Sequence, residues 1–188
     1  RSLFDPDQPP ILLDGATGTE LERRGFSLDR PGWSVQAIEE APELLAAIHG
    51  DYVDAGARII TANTFRLHRR NLAAWDRQDD QDRLVDCAVA IARQATRGRA
   101  LVAASLAPLG DCYSPADVPE ASRLEDEHRE LAEQLARAGA DLILVETMVA
   151  AVEAEAAAVA AAATGLPFIV KAHGSELDAA RETPFLPA

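Results

Sequence analysis

The sequence predicts an α/β fold made of parallel βα repeats. The first observation is a set of short apolar runs, rich in isoleucine, leucine and valine, in which polar residues do not alternate. Such runs are typical of strands that a parallel sheet buries on both faces. The second observation is that segments of helical periodicity separate these runs along the chain. The five predicted strands are residues 11–13, 57–61, 100–105, 141–145 and 167–170.

Four helices are predicted between the strands. Apolar residues recur at spacings of three and four, which places each set on one face of a helix. Three of these sets begin at Leu44, Leu84 and Leu124, and the fourth helix is the alanine-rich segment 149–163. A glycine precedes each of the last four strands, where a left-handed residue would close the preceding helix. These glycines are Gly56, Gly98, Gly139 and Gly165.

Length and element count leave two architectures open. The chain has 188 residues, which suggests one domain. Five strands and four helices suit a small doubly wound sheet, and they also suit part of an eight-stranded barrel, which typically needs about 250 residues. The first ten residues contain three prolines and are expected to form a covering arm.

Charge and cysteine content exclude several classes of partner. The chain has 18 Lys and Arg against 31 Asp and Glu, a net charge of −13, so it would repel nucleic acid and anionic membrane surfaces. Its two cysteines give no disulfide framework, and we therefore expect a reducing, cytoplasmic location. The most apolar stretch, residues 149–165, is mostly alanine and contains two glutamates, so it predicts a helix of a soluble protein rather than a membrane span.

Polar residues follow the predicted strands at their carboxyl ends, where βα proteins gather their chemistry. Asp14 ends the first strand and Glu146 ends the fourth. Two carboxylates that face one another across a pocket would favour a cationic group such as an ammonium. Other strand ends carry Thr61, Asn63, Thr64, Ser105, Thr147 and Lys171. The sequence therefore predicts a small-molecule site with two acids and several neutral hydrogen-bonding groups.

Each of these residues also has a purely structural interpretation. An Asp-Gly pair such as Asp14-Gly15 is most often a turn, and Asn63 would equally serve as the cap of the following helix. Glu146 is harder to explain in this way, because a carboxylate at a buried edge needs a partner. Gly15 and Gly18 are followed by neither a third glycine nor a lysine, so the signal for a phosphate-binding loop is weak.

The histidines and cysteines have mostly structural interpretations. His49 and His68 are expected on exposed helix or loop surface, whereas His128 lies on the apolar stripe of the third helix and is predicted to be packed. Cys87 is predicted to lie in the core. Cys112 follows the third strand, so a nucleophilic role in an unrelated small α/β enzyme stays open beside the role of a bystander thiol.

Three motifs resemble the homocysteine S-methyltransferase family. They are LLDGATGTELERRG at 12–25, DYVDAGARIITANTFR at 51–66 and AGADLILVETM at 138–148, in the order of the family, and SLAPLGDCYSP at 105–115 is similar more loosely. The resemblance implies a (β/α)8 TIM barrel, of which the predicted strands would be the first five. It also implies methyl transfer from a methyl donor to the homocysteine thiol, giving methionine, as in methionine biosynthesis.

The resemblance further implies roles for individual residues. Asp14 and Glu146 would bind the amino group of the substrate. Four further residues would shape that pocket and hold the carboxylate end of the substrate or the neighbouring backbone: Gly15, Asn63, Thr64 and Thr147.

The resemblance ends where the metal chemistry of the family would begin. Family members bind the thiol through zinc, held by one cysteine after strand six and a Cys-Cys pair after strand eight, and the chain has no counterpart of these three ligands. We therefore expect no metal ligand and no catalytic residue in this chain, which is predicted to be a truncated or divergent member. An alternative is a non-catalytic amino-acid-binding or partner subunit.

The expected organisation is an arm at 1–10, a partial barrel at 11–174 and a divergent tail at 175–188. A barrel with five strands would expose two long apolar edges, and such edges promote pairing. We therefore expect a homo-oligomer, or a partner chain that covers the open edge.

Overall fold

The computed structural model describes residues 10–112 and 118–172. Most of the predicted arm and the whole predicted tail, 175–188, lie outside the described residues, as does part of the loop after the third predicted strand. In chain order the helices and strands are α1 (Thr17–Arg23), α2 (Ala37–Glu40), α3 (Pro42–Asp54), β1 (Ile59–Ala62), α4 (Arg69–Ala73), α5 (Gln81–Thr96), β2 (Leu101–Leu106), α6 (Ala121–Arg137), β3 (Leu142–Met148), α7 (Ala151–Ala163) and β4 (Phe168–Ala172), with short 3-10 helices at Trp33–Gln36 and Gln78–Asp80.

The strands form one parallel sheet in the order β1-β2-β3-β4. Helix α5 connects β1 to β2, α6 connects β2 to β3, and α7 connects β3 to β4. The spatial order therefore equals the chain order throughout, whereas a doubly wound sheet reverses its order at a switch point. Of the two architectures that the sequence leaves open, this topology is that of an incomplete barrel.

The described residues form four strands rather than the predicted five, because the first predicted strand is not a regular strand. Residues 11–13 make a single parallel bridge, between Leu13 and Ile59, and the N–H of Asp14 donates to the Ile59 carbonyl at 3.0 Å. Ile11 and Leu12 are 40% and 55% exposed, because no element of the described chain lies outside this edge. The segment thus sits beside β1 as a first barrel strand would, but it is too short to form a regular strand.

The sheet has two apolar faces, as the unbroken apolar runs predict. The inner face carries a cluster of strand residues alone, formed by Ile59, Ala103, Leu142 and Leu144. The helix face, which includes Ile143 and Val145, packs against residues of α3, α5, α6 and α7. Alternate residues along each strand therefore point to the inner face and to the helix face.

The glycines at the helix ends have the conformation that their positions predict. Gly56, Gly98, Gly139 and Gly165 have φ values of 104°, 73°, 89° and 76°. A Cβ at any of the four would meet nothing within 4 Å, so the positive φ is what favours glycine there. Each of them turns the chain from a helix towards the next strand.

Two of the histidine expectations are wrong. His49 and His68 are buried, not exposed, and His128 is buried as predicted. The Nε2 of His128 lies 3.3 Å from the Glu153 carboxylate, which also accepts a 2.7 Å hydrogen bond from the N–H of Leu109. This buried network ties the loop after β2 to α6 and α7.

Exposed apolar side chains mark both edges of the sheet. Phe168 and Val170 lie on β4, and Val152 and Val159 lie on the neighbouring helix α7. The expectation that a second copy or a partner chain covers such an edge stays a prediction. Within the described residues, no helix is long and apolar enough to cross a membrane.

Candidate functional site

A cavity of about 360 Å³ opens at the carboxyl ends of the strands. Each strand contributes a polar residue of its inner face to the lining, namely Thr61 from β1, Ser105 from β2, Glu146 from β3 and Lys171 from β4, and β3 also contributes Leu144. The turn that begins at Asp14 closes one side of the cavity. The site therefore lies on top of the inner-face cluster, where a barrel fold places its chemistry.

Asp14 is held by β1. The backbone N–H of Thr61 donates to one carboxylate oxygen at 2.7 Å, and the Thr61 hydroxyl donates to the other at 2.8 Å. Burial nevertheless raises the pKa of Asp14 from 3.8 to about 6, with a smaller contribution from the negative charge of Glu146, although the Thr61 hydrogen bonds lower it. Asp14 is thus fixed in position while its charge is poorly solvated.

Glu146 is held in a similar way by β2. The hydroxyl of Ser105, which is buried, donates to the Glu146 carboxylate at 2.6 Å. Burial raises the pKa of Glu146, against the opposing effects of the Ser105 hydrogen bond and the positive charge of Lys171. Two partly desolvated carboxylates that line one cavity attract a cation there.

Thr147 forms a β-bulge beside the cavity. Glu146 pairs with Lys171 and Met148 pairs with Ala172, so two steps along β3 oppose one step along β4. Thr147 takes a φ of +62°, which is rare and strained for a β-branched residue. The extra residue keeps Glu146 on the inner face and Met148, which is fully buried, on the helix face. A regular strand would turn the Met148 side chain into the cavity.

Asn63 and Thr64 act on the walls of the site. Asn63 lines the cavity, and its side chain exchanges two hydrogen bonds with Ser34, at 2.8 Å through the Ser34 hydroxyl and at 2.7 Å to the Ser34 carbonyl. Asn63 therefore connects the 3-10 helix Trp33–Gln36 to the end of β1 rather than capping α4, whose cap residue is His68. The buried Thr64 hydroxyl donates to the Ser105 carbonyl at 2.9 Å, and Thr64 is not among the described lining residues.

Gly15 is required by close approach rather than by a turn. A Cβ at this position would lie 2.7 Å from the hydroxyl oxygen of Tyr52 and 2.9 Å from its ring. The Tyr52 hydroxyl in turn donates to the Ala16 carbonyl at 3.3 Å. Tyr52 of helix α3 therefore packs against the Asp14 turn, and any side chain at position 15 would require the Tyr52 ring to move.

Of the six residues that the sequence assigns to the site, Asp14, Gly15, Asn63 and Glu146 line the cavity. Thr147 forms the bulge behind Glu146, and Thr64 supports β2. Their roles in binding a substrate stay predictions.

Sequence reasoning missed an aromatic wall of the cavity. Trp33 and Phe65 both line it, and their rings meet edge to face at 6.0 Å. Trp33 is 42% exposed and takes a φ of +54°, which is uncommon for a residue other than glycine. Its position after Pro31 and Gly32 in a segment without periodicity was the available signal. Such a wall suits a methylene chain or a methyl-bearing cation.

The residues described do not fit a metal centre. Among residues 10–112 and 118–172, no group of three or more His, Cys, Asp or Glu residues is placed to hold a metal ion. Cys87 packs against the helix-face core, and Cys112 is buried and is not one of the described lining residues. The nucleophile hypothesis for Cys112 therefore gains no support from this cavity.

A second, wider depression of about 440 Å³ lies between α4 and α6, away from the strand ends. Its arginines are largely engaged with carboxylates of α6, as in the pairs Arg69–Glu130 and Arg70–Glu127, both at 2.5 Å. The depression is open to solvent and has surface ion pairs as its main feature, so the cavity with the two desolvated carboxylates is the better candidate.

Comparison with known proteins shows which family and which individual proteins this chain is similar to. A family model described as homocysteine S-methyltransferase matches residues 11–182. Homocysteine S-methyltransferase YbgG of Bacillus subtilis strain 168 is 32% identical over 167 residues, which cover 79% of this chain and 53% of that protein. Homocysteine S-methyltransferase of Escherichia coli K12 is 35% identical over 166 residues, with the same coverage of 79% and 53%.

The solved structure of the homocysteine methyltransferase MmuM from Escherichia coli, in its metallated form, superposes with a TM-score of 0.77 at 32% identity. The superposition covers 86% of this chain and 62% of that chain. The chain therefore spans about half the length of the curated relatives that it matches.

Proposed function

The chain belongs to the homocysteine S-methyltransferase family, and from this premise we propose that it supplies the amino-acid end of a site for methyl transfer to the homocysteine thiol, which yields methionine. The observation that carries the proposal is the pair of carboxylates, Asp14 and Glu146, in one cavity at the strand ends. Burial raises the pKa of both, so each carboxylate lacks part of its solvation. The ammonium of homocysteine would supply the missing positive charge.

The supporting residues fit this assignment. Thr61 and Ser105 hold the two carboxylates in place through short hydrogen bonds, so an ammonium would meet acceptors that are already oriented. The aromatic wall of Trp33 and Phe65 would contact the methylene chain that leads to the thiol. Asn63 acts indirectly, because its hydrogen bonds to Ser34 set the position of the 3-10 helix that carries Trp33.

Activation of the thiol is the part that the described residues do not supply. A free thiol titrates near ~8.5, so a neutral solution contains mostly the protonated, poorly nucleophilic form. A zinc ion bound to the thiol, as the resemblance to the family implies, would favour the thiolate, but the described lining of the cavity includes neither cysteine nor histidine to hold such an ion. We therefore assign binding and orientation of the amino acid to these residues and no chemical step.

That same lining favours a second candidate function, which is amino-acid binding without methyl transfer by this chain alone. The two candidates share the cavity and differ in whether methionine is formed. Incubation of the full chain with homocysteine, S-methylmethionine and zinc would distinguish them, because methionine formation supports the first candidate, and binding without turnover supports the second.

Calorimetric titration of the full chain with homocysteine under reducing conditions tests the shared binding step. We expect saturable binding that weakens at least tenfold in Asp14→Asn and in Glu146→Gln, since each change removes one charge-assisted contact. Asp86→Asn, on the exposed face of α5, controls for the loss of one negative charge from the protein. No binding to the wild type, or equal binding to all four proteins, would refute the proposal.

A further inference from the structure

The distribution of lysine in this chain is unusual. Of its 18 basic residues, 17 are arginines, and Lys171 is the single lysine. Most of the arginines whose contacts are described form ion pairs on the surface with nearby carboxylates, as Arg24 and Arg93 do. Lys171 instead lies at the end of β4 and is the one cationic residue among the described residues that line the cavity.

The sheet register places Lys171 beside Glu146. Ile169, two residues earlier on β4, belongs to the inner-face cluster, so Lys171 extends from the same face. Glu146 of β3 is its partner in the parallel ladder. Neighbouring strands lie about 4.8 Å apart, so a carboxylate and an ammonium emerge side by side from adjacent strands into one cavity.

The side chain of Lys171 has no hydrogen-bond or ion-pair partner among the described residues. No hydrogen bond is formed by its side chain to a described residue, and no described carboxylate oxygen lies within 4.0 Å of it. Its charge still acts on Glu146, whose pKa it lowers. The ammonium group is therefore near the acid, and no described carboxylate competes with another anion for it.

This arrangement matches the two charges of an α-amino acid. The ammonium and the carboxylate of such a ligand are attached to the same carbon atom. The protein group that accepts from the ammonium and the protein group that donates to the carboxylate must therefore lie close together. Asp14 and Glu146 attract the ammonium end. A cation on the strand next to Glu146 is then placed where the carboxylate end emerges. An arginine or lysine at such a position recognises carboxylates through charge-assisted hydrogen bonds.

We propose that Lys171 binds the α-carboxylate of the amino-acid ligand and so makes the cavity selective for a zwitterion over a simple amine. The inference rests on the proposed function, because it takes homocysteine or a related amino acid as the occupant. It assigns Lys171 a direct contact with the ligand, while Asp14 and Glu146 retain the ammonium end.

Two probes that differ only in the carboxylate test this assignment, namely homocysteine and 3-aminopropane-1-thiol. In calorimetric titrations, Lys171→Met should weaken homocysteine binding about ten- to hundredfold. The same change should leave binding of the amine unchanged or tighten it, because a repelling charge is removed. Lys171→Arg should retain most of the affinity for homocysteine. Arg123→Met, which removes an exposed cation of α6, is the matched control.

A spectroscopic readout uses the single lysine directly. Reductive methylation with ¹³C-formaldehyde preserves the charge and gives one lysine signal beside that of the terminal amine. That lysine signal should shift when homocysteine is added and stay in place when the amine is added.

Each result decides between the two proposals. Equal losses for both probes in Lys171→Met, or no loss for homocysteine, would overturn the role of Lys171 while leaving the ammonium site intact. If the wild type binds neither probe, the proposed function fails and this inference fails with it. Tight binding of the amine alone would support the carboxylate pair as the ammonium site and would refute selectivity for a zwitterion.

Discussion

The raised pKa of Asp14 predicts that this residue destabilises the folded protein at neutral pH. Its pKa is about 6 in the folded chain against an ordinary value of 3.8. Between these values the folded state holds the proton that the unfolded state has released, so stability falls as the pH rises. With respect to the titration of Asp14, the folded state is therefore most stable below pH ~4, where this residue is protonated in both states. This stability is lost as the pH rises through the folded-state pKa of about 6.

The size of the effect follows from the two pKa values. A difference of one pKa unit between the folded and unfolded states corresponds to about 1.36 kcal/mol of stability. The difference of about two units for Asp14 therefore lowers the free energy of unfolding by about 3 kcal/mol at pH 8. At pH 5 the same linkage gives only about 1.5 kcal/mol, because the folded-state carboxyl is still mostly protonated. Asp14→Asn does not titrate. Its unfolding free energy relative to the wild type should therefore rise by about 1.5 kcal/mol between pH 5 and pH 8.

Equilibrium urea unfolding at pH 5, 6, 7 and 8, followed by circular dichroism, measures this difference. The comparison between two proteins at each pH cancels the titration of residues that they share. Asp86→Asn serves again as the control for a lost surface charge. A difference between Asp14→Asn and wild type that is constant over these four pH values would refute the reasoning, as would one that shrinks as the pH rises.

Two further predictions concern the backbone beside the cavity. Thr147→Gly should raise the unfolding free energy by about 1 kcal/mol in urea titrations, because glycine adopts the φ of +62° without strain, whereas Thr147→Val keeps the β-branch and should give no gain. Gly15→Ala should lower the free energy of unfolding by about 1–3 kcal/mol, because the new Cβ would lie 2.7 Å from the Tyr52 hydroxyl. The control is Gly50→Ala in α3, where the new Cβ meets nothing within 4 Å and the change should be neutral or stabilising. An unchanged free energy of unfolding in Gly15→Ala would contradict the close contact.

Features that depend on neighbouring residues in sequence were predictable. Apolar runs located four strands and the bridge segment, and glycines marked the helix ends, because both signals reflect local burial and local φ. The single bridge at Leu13 was not predictable, since the pairing of an edge segment depends on what lies outside it. The burial of His49 and His68 also depends on tertiary packing around them, which periodicity does not reveal.

The sequence located residues of the site but not the contacts between them. Asp14 and Glu146 stood out because a carboxylate at the end of an apolar strand needs an explanation. Thr61 and Ser105 were recognised as strand-end residues but not as the partners of these acids, since Thr61 is 47 residues from Asp14 and Ser105 is 41 residues from Glu146. The bulge at Thr147 was not predictable, because it lies beyond the apolar run 141–145 and depends on how β3 pairs with β4.

The energetics of the two carboxylates connect the fold to the proposed function. Within the described residues neither Asp14 nor Glu146 forms an ion pair, although each is fixed by a hydroxyl donor. A structural role would be served better by a paired or neutral residue, since desolvation of an unpaired carboxylate destabilises the fold. A bound ammonium would reverse this effect, because it favours the charged form of both acids. Ligand affinity should therefore fall as the pH drops below about 6, where Asp14 takes up its proton. Such a loss would be absent if the two acids served only the fold.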